Sequence, residues 1–372
     1  MANQTHAPKR IILTGTSPLM LCRAIGLARA GHHVTMIDRN TVCGGAWQAI
    51  SAFGHNNIEP AVHLLENRKS AYQGLQKAAG IELKRERGGI GRIGPLRLPL
   101  GVVRPICFAG TTTRSMLRRN LDRTTFHARA FMRSTANMAT SFRYPLNGAG
   151  GMIRQMTGIA REHGVSIMLD THLKCAEINT SEKPNSCRTS DETLEFDHIG
   201  ISSRAHCPIR IDGEPFDFPT RTDDTWSLLL HLQGKARLLH SYMEVVADKH
   251  IRRVRNVGEF ARPQPKSDHH VICVQLRQPP STVASELGPG ILHRLIRMRL
   301  LEKGLKCIDA QLAPYRYLTI PDRELSLISR KLAPHVIPVK TTDLAEELAN
   351  HLKTGDDAMS KCPTADSEQA IA

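Results

Sequence analysis

The chain has 372 residues, of which 41% are hydrophobic and 23% charged, proportions typical of a globular protein with a large core. Its 50 basic and 35 acidic side chains give a formal net charge of +15, which favours anionic partners. Aromatic residues make up only 4% and no nucleic-acid-binding motif accompanies the basic charge, so we expect no nucleic-acid function.

The nine cysteines are scattered and none forms a C-x-x-C pair, which argues against a disulfide framework and a zinc site. The opening residues lack the apolar core of a secretory signal, and no apolar stretch is long enough to span a membrane. We therefore expect a cytoplasmic protein with reduced thiols and no metal. Peripheral contact between its basic surface and a membrane stays open.

The first elements predict a strand, a helix and a second strand. RIILT (10–14) is a short β-branched run that ends at Gly15, and SPLMLCRAIGLARAG has apolar residues at helical spacing. HHVTMID then reads as a second strand that ends at Asp38. This order predicts a βαβ unit with a right-handed crossover.

The next region, from about residue 50 to residue 143, reads as an inserted cap. SAYQGLQKAAGIEL predicts a helix that stops near Gly80, and GGIGRIGPLRLPLGVVRP predicts short strands such as a hairpin. Residues 111–133 look helical and basic. The pattern therefore favours a lid over a substrate site.

The remainder alternates helices and strands. A helix over MIRQMTGIAREHG precedes the strands VSIMLD and LKCAEI, NTSEKPNSCRTSDE reads as a polar tip, and LEFDHIGISS reads as one strand. Further strands fall at WSLLLHL and VICVQL, before an amphipathic helix over GILHRLIRMRLLEKG. The expected domain division is a nucleotide domain in two segments, residues 1–68 and residues 144–210, separated by a cap over residues 69–143. A substrate-domain sheet over 211–290, a return to the nucleotide domain over 291–352 and a flexible tail over 353–372 complete it.

Gly15, Asp38 and the pair Gly44-Gly45 form the first constellation with chemical meaning. A dinucleotide site needs a tight backbone turn at the pyrophosphate, a helix N-terminus aimed at it, and an acid after the second strand for the ribose. In the G-x-G-x-x-G frame that starts at Gly15, Ser17 and Met20 replace the second and third glycines. The motif alone leaves open both a nucleotide site and a similar unit that holds no nucleotide.

The N-terminal segment RIILTGTSPLMLCRAIGLARAGHHVTMIDRNTVCGGAWQ resembles the flavoprotein superfamily that includes amine oxidases, phytoene desaturases, protoporphyrinogen oxidase, UDP-galactopyranose mutase and the Rab GDP-dissociation inhibitors. Asp38, Arg39 and the Gly-Gly pair match its first hallmark, and YPLNGAGG (144–151) matches its second. The resemblance implies an α/β fold: a discontinuous Rossmann-like FAD/NAD(P)-binding domain with an inserted mixed α+β substrate or cap domain. It implies FAD, held by Gly15, Ser17, Pro18, Asp38, Arg39, Gly44, Gly45 and Ala46.

Three functions remain open under this resemblance. The first is an FAD-dependent oxidoreductase that transfers a hydride or electrons with an unidentified small molecule, for which the net charge favours an anionic one. The second is a redox-neutral mutase-like flavoenzyme, in which His63 occupies the position of a histidine beside the flavin ring and Arg252 and Arg253 could clamp a diphosphate. The third is a flavin-free binding protein on the GDP-dissociation-inhibitor scaffold. His63 is the one candidate for a catalytic residue, and the sequence does not define the oligomeric state.

Overall fold

The computed structural model describes residues 7–63, 65, 69–86, 90–93, 96–117, 124, 128, 142–203, 207–235, 242–245 and 248–339. The helices are α1 (Pro18–Arg29), α2 (Lys69–Ala79), α3 (Leu100–Leu117), α4 (Gly148–Glu162), α5 (Ala284–Arg297) and α6 (Asp322–Lys331). The strands are β1 (Arg10–Thr14), β2 (His33–Ile37), β3 (Ile50–Ala52), β4 (His55–Ile58), β5 (Leu83–Glu86), β6 (Ile90–Ile93), β7 (Leu96–Pro99), β8 (Phe142–Pro145), β9 (Ser166–Met168), β10 (Cys175–Ile178), β11 (Asn185–Arg188), β12 (Thr193–Phe196), β13 (His198–Ser202), β14 (Ile209–Ile211), β15 (Glu214–Phe216), β16 (Arg221–Gln233), β17 (Tyr242–Val245), β18 (Ile251–Asn256), β19 (His269–Leu276), β20 (Lys306–Thr319) and β21 (Val336–Val339).

A five-stranded parallel sheet in the order β21-β13-β1-β2-β9 carries the predicted βαβ unit. The apolar residues of β1 are almost fully buried, as expected for a central strand with parallel neighbours on both sides. Helix α1 packs against α4 in the core on one side of this sheet. The mixed α/β class with a parallel sheet is therefore confirmed.

A second five-stranded sheet, in the order β12-β11-β10-β14-β15, corrects two sequence predictions. The stretch 179–192 is not only a polar tip, because it contains β11, whose Asn185 and Cys187 are buried. LEFDHIGISS is two strands rather than one: β12 joins this sheet and β13 joins the parallel sheet. Both errors have the same origin, since the pairing partners lie outside the local pattern.

The third sheet has seven strands in the order β20-β16-β19-β18-β17-β6-β7. Alternate residues of its central strands form a core with α5 on one face. The opposite face packs on the hairpin of β3 and β4 through a separate buried cluster. Because β20 pairs with β16 along its length, the chain leaves this sheet only after Thr319 and then returns to the parallel sheet at β21.

Helix α3 corrects the prediction of short strands at the end of GGIGRIGPLRLPLGVVRP, while its residues 111–117 agree with the helix predicted over 111–133. It begins at Leu100, and it continues through Pro105, which lacks the amide for one intrahelical hydrogen bond. Val103 and Pro105 are both buried, so packing offsets that loss. Beyond Leu117 the prediction falls almost entirely outside the described residues. Within the portion of the chain that the structure describes, no helix is both long and apolar enough to span a membrane.

Candidate nucleotide site and the adjoining junction

The turn between β1 and α1 has the backbone geometry that the sequence predicts for a dinucleotide site. Gly15 adopts a φ of +86°, a conformation that glycine reaches without strain, and its amide donates to the Ile37 carbonyl at 2.7 Å. Helix α1 then begins with Pro18, which is buried in its first turn. The helix N-terminus therefore opens directly beside the ends of β1 and β2.

The two residues that replace glycines lie in different places. The Ser17 hydroxyl caps α1 by accepting a hydrogen bond from the Met20 amide at 3.5 Å. The Met20 side chain is fully buried in the core between α1 and α4. Met20 thus packs beneath the turn and does not fill the groove in front of it.

The carboxylate of Asp38 lies where the sequence predicts, but it is already fully hydrogen-bonded. Its Oδ2 accepts from the Thr16 amide at 2.9 Å and the Thr16 hydroxyl at 2.6 Å. Its Oδ1 accepts from the Asn40 amide at 3.0 Å and the Asn40 side-chain amide at 2.8 Å. Since a carboxylate has about four acceptor positions, a ribose hydroxyl could bind only by displacing one of these donors. The two side-chain donors, unlike the two backbone amides, can turn away.

The Gly-Gly loop closes over the same turn. Gly44 and Gly45 both have positive φ, and the Gly44 amide is 3.1 Å from both the carbonyl and the hydroxyl oxygen of Thr16. A Cβ on Gly45 would lie 3.7 Å from the Ser17 Cβ and 3.8 Å from the Tyr315 hydroxyl. The Gly45 backbone therefore runs beside the start of α1, and β20 of the seven-stranded sheet reaches it through Tyr315.

Arg39 points toward β20 as well. Its guanidinium donates to the Arg316 carbonyl at 3.3 Å in an exposed position. The structure thus brings Arg39 to the rim of the site, and there it contacts the seven-stranded sheet.

His63, which follows β4 in the chain, contacts the two residues just after the Gly-Gly pair, Ala46 and Trp47. Its Nε2 is 2.6 Å from the Ala46 carbonyl oxygen, and its ring stacks on Trp47 with 4.3 Å between centroids and 8° between planes. The structure therefore brings together two residues that the sequence predicts for the site: His63, the candidate catalytic residue, and Ala46, a predicted cofactor contact.

A buried charged junction adjoins His63, and no pattern in the sequence indicates it. Glu59 is 1% exposed and accepts a hydrogen bond from the Ala149 amide, at the start of α4, at 2.7 Å. The Arg255 guanidinium lies 3.5 Å from the centre of the Tyr144 ring and donates to the His63 carbonyl at 3.0 Å. Burial raises the pKa of Glu59, whereas Arg255 and the Tyr144 hydroxyl lower it.

No protein-family model matches the chain, and no curated protein matches it either. Solved structures do. A putrescine oxidase with putrescine bound matches with a TM-score of 0.62 and 10% identity, over 95% of this chain and 98% of the oxidase. A reduced UDP-galactopyranose mutase matches with a TM-score of 0.58 and 11% identity, over 88% of this chain and 86% of the mutase. An oxidoreductase from Methanosarcina mazei matches with a TM-score of 0.56 and 14% identity, over 82% of this chain and 87% of that protein.

These similarities define the fold. The chain has the fold that these structures share, and the resemblance seen in the sequence is confirmed at the level of the fold. At 10–14% identity the similarity identifies neither a substrate nor a reaction.

The backbone around Gly15 and Gly45 fits the pyrophosphate half of FAD. A left-handed turn, the start of a helix and a second glycine loop converge there, which is how main-chain amides approach a pyrophosphate. The side chains fit on one condition, that a donor on Asp38 exchanges for a ribose hydroxyl. Among the described residues, no group of three His, Cys, Asp or Glu side chains could hold a metal ion.

Proposed function

We propose that the chain is an FAD-dependent oxidoreductase that acts on a small molecule. The observation that carries the proposal is the convergence of the Gly15 turn, the Asp38 carboxylate and the Gly44-Gly45 loop at the N-terminus of α1. In this proposal residues 1–68 and 144–210 form the nucleotide-binding domain. The residues that would hold the cofactor are Gly15, Ser17, Pro18, Asp38, Arg39, Gly44, Gly45 and Ala46.

FAD, when bound, would supply hydride or electron transfer, and the protein would supply binding and orientation. The amides at the start of α1 would face the pyrophosphate, with Ser17 turning its hydroxyl from the weak 3.5 Å cap toward a phosphate oxygen. Asp38 would accept from a ribose hydroxyl once Thr16 or Asn40 withdraws a side-chain donor. His63 would hold the Ala46 and Trp47 segment through its contacts with both residues.

A second candidate is a flavin-free binding protein on the same fold. The observation that favours it is the internal hydrogen bonding of Asp38, because Thr16 and Asn40 supply donors to both carboxylate oxygens. In that case Asp38 would serve only to hold the β1–α1 turn against the loop after β2.

The test is reconstitution with FAD followed by desalting and an absorption spectrum. The oxidoreductase proposal expects protein-bound flavin absorption in the blue, and bleaching of that absorption on chemical reduction. Folded protein that stays colourless after reconstitution would contradict the proposal and support the flavin-free candidate.

Two variants make the test specific for the predicted site. Thr16→Ala removes the hydroxyl donor but keeps the backbone donor, so Oδ2 gains an acceptor position. A net hydrogen bond contributes about 1 kcal/mol, so the dissociation constant for FAD should fall about fivefold. Asp38→Asn should weaken FAD binding, whereas Asp217→Asn, at an exposed position outside the site, is the matched control. An unchanged affinity in both site variants would place the flavin elsewhere.

A further inference from the structure

Four neighbouring strands of the seven-stranded sheet align polar side chains in one row. The register pairs Ser227 of β16 with Gln275 of β19, Gln275 with Arg253 of β18, and Arg253 with Glu244 of β17. Cross-strand partners point to the same face of a sheet, and the intervening residues of these strands form the apolar core beneath α5. The row therefore lies on the face opposite α5.

The row is buried at one end and its hydrogen bonding is incomplete. Ser227 and Gln275 are 1% and 9% exposed, while the side chains of Arg253 and Glu244 are 25% and 18% exposed. Within the described portion of the chain, neither Gln275 Oε1 nor Arg253 Nε has a hydrogen-bond partner. A buried polar atom without a partner is destabilising, and such atoms are rare in native proteins unless a ligand or water completes them.

The position of the row relates it to the candidate cofactor site. Ser227 pairs with Ala313 of β20, so Tyr315, two residues further along that strand, shares the same face. Tyr315 reaches the Gly45 loop, and Arg255, also on this face, holds the His63 carbonyl. The row thus lies on the sheet face that contacts both the Gly-Gly loop and the His63 segment.

Positive charge dominates around the row. Arg253 lies in the row and Arg252 precedes it in β18, while Arg277, just after the end of β19, donates from its guanidinium to the Val245 carbonyl of β17 at 2.6 Å. Glu244, 3.8 Å from Arg253 Nη2, is the carboxylate within this group. Such a site attracts an anion and repels an ammonium ion. The donor that Gln275 Oε1 lacks is therefore better supplied by a neutral hydroxyl than by an amine.

We propose that the row formed by Ser227, Gln275, Arg253 and Glu244 binds a hydroxyl-bearing anion, a sugar phosphate or a sugar acid, as substrate. The anionic group binds Arg253, and a hydroxyl donates to Gln275 Oε1. This inference rests on the proposed flavoenzyme function for its role as a substrate site, and it excludes diamines as substrates.

The test uses full-length protein reconstituted with FAD, with binding measured by calorimetry and by thermal shift. The probes are glucose 6-phosphate and glucuronate, with glucose, inorganic phosphate and putrescine as comparisons. Binding of either hydroxylated anion more tightly than glucose and phosphate supports the inference, and the better of the two identifies the anionic group. Tighter binding of putrescine, or no binding by either hydroxylated anion, overturns it.

Two variants separate a binding role from a structural one. Arg253→Met and Gln275→Leu should each weaken the binding of the better probe about tenfold or more. Gln275→Leu should leave the melting temperature unchanged or higher, because it removes an unpartnered buried oxygen; a lower melting temperature with unchanged probe binding would show a structural role. Arg221→Met, at the exposed start of β16, is the control and should bind the probe normally.

The flavin spectrum distinguishes the two proposals. Retained flavin absorption without probe binding overturns the substrate site alone. Probe binding in colourless protein supports the site and contradicts the oxidoreductase function.

Discussion

At the scale of single residues, the histidines between the β3–β4 hairpin and the seven-stranded sheet predict an acid-sensitive stability. His231 Nε2 lies 2.9 Å from His269 Nδ1, and the His55 ring centre is 6.1 Å from that of His231. Burial, then His269 and His55, lower the pKa of His231, and only Asp309 raises it. The folded state therefore favours neutral His231, and its stabilising contribution is complete above the unfolded pKa of about 6.5 and lost as the pH falls below it.

Urea unfolding between pH 8 and pH 5, roughly the range in which histidines titrate, measures this effect. We expect the midpoint to fall on acidification in the natural protein and to fall less in His231→Gln. His293→Gln, at an exposed position on α5, should keep the full pH dependence. Identical pH profiles for all three proteins would mean that His231 does not contribute.

At the scale of elements, helix α4 offers two glycines with opposite expectations. A Cβ at Gly150 would lie 2.2 Å from Asn57 Oδ1 and 2.6 Å from the Ala49 Cβ, whereas a Cβ at Gly158 would meet nothing within 4 Å. Gly150→Ala should lower the free energy of unfolding by about 1–3 kcal/mol, because the helix must move away from the β4 strand. Gly158→Ala should raise it by up to about 1 kcal/mol, since alanine favours the helix. Urea midpoints compare the two, and a Gly150→Ala midpoint equal to or above that of the natural protein would refute the close contact at Gly150.

Elements whose residues are close in sequence could be predicted, whereas contacts that depend on pairing or on loop conformation could not. The Gly15 turn, α1 and Asp38 follow from local spacing, because a βαβ unit places its glycine turn and its second-strand acid at a nearly fixed separation. The partners of Asp38 did not follow, since Thr16 and Asn40 are common polar residues whose hydrogen bonds depend on the loop conformation. The sequence did not predict β11, because its largely polar residues form a strand only by pairing with β10 and β12.

The buried charged junction could not be predicted from any local pattern in the sequence. Glu59, Tyr144 and Arg255 come from distant regions of the chain, and although Tyr144 begins the YPLNGAGG stretch, nothing in that stretch indicates the other two residues. Their chemistry arises only when the parallel sheet, α4 and the seven-stranded sheet meet. Sequence periodicity indicates the type of each element but not which elements contact one another.

At the scale of the whole molecule, Arg255 connects these elements. It is fully buried, it stacks on Tyr144, it donates to the His63 carbonyl, and its Nη2 lies 3.6 Å from Glu259 Oε1. Its positive charge also lowers the pKa of the Glu59 carboxyl, which burial raises. Removing one partner from such a group leaves the others buried without compensation, which is strongly destabilising.

Arg255→Met should therefore lower the free energy of unfolding by about 3–5 kcal/mol, as measured by urea unfolding. Arg255→Lys should recover little of this loss, because an ammonium group can neither stack as a plane nor donate in several directions at once. Arg10→Lys, in an ion pair whose side chains are 46% and 52% exposed, is the control, with an expected change below about 1 kcal/mol. If Arg255→Lys were as stable as the natural protein, charge alone would hold the junction. If Arg255→Met were also as stable, the apolar contacts of the sheet face with the β3–β4 hairpin would be sufficient to join the two regions.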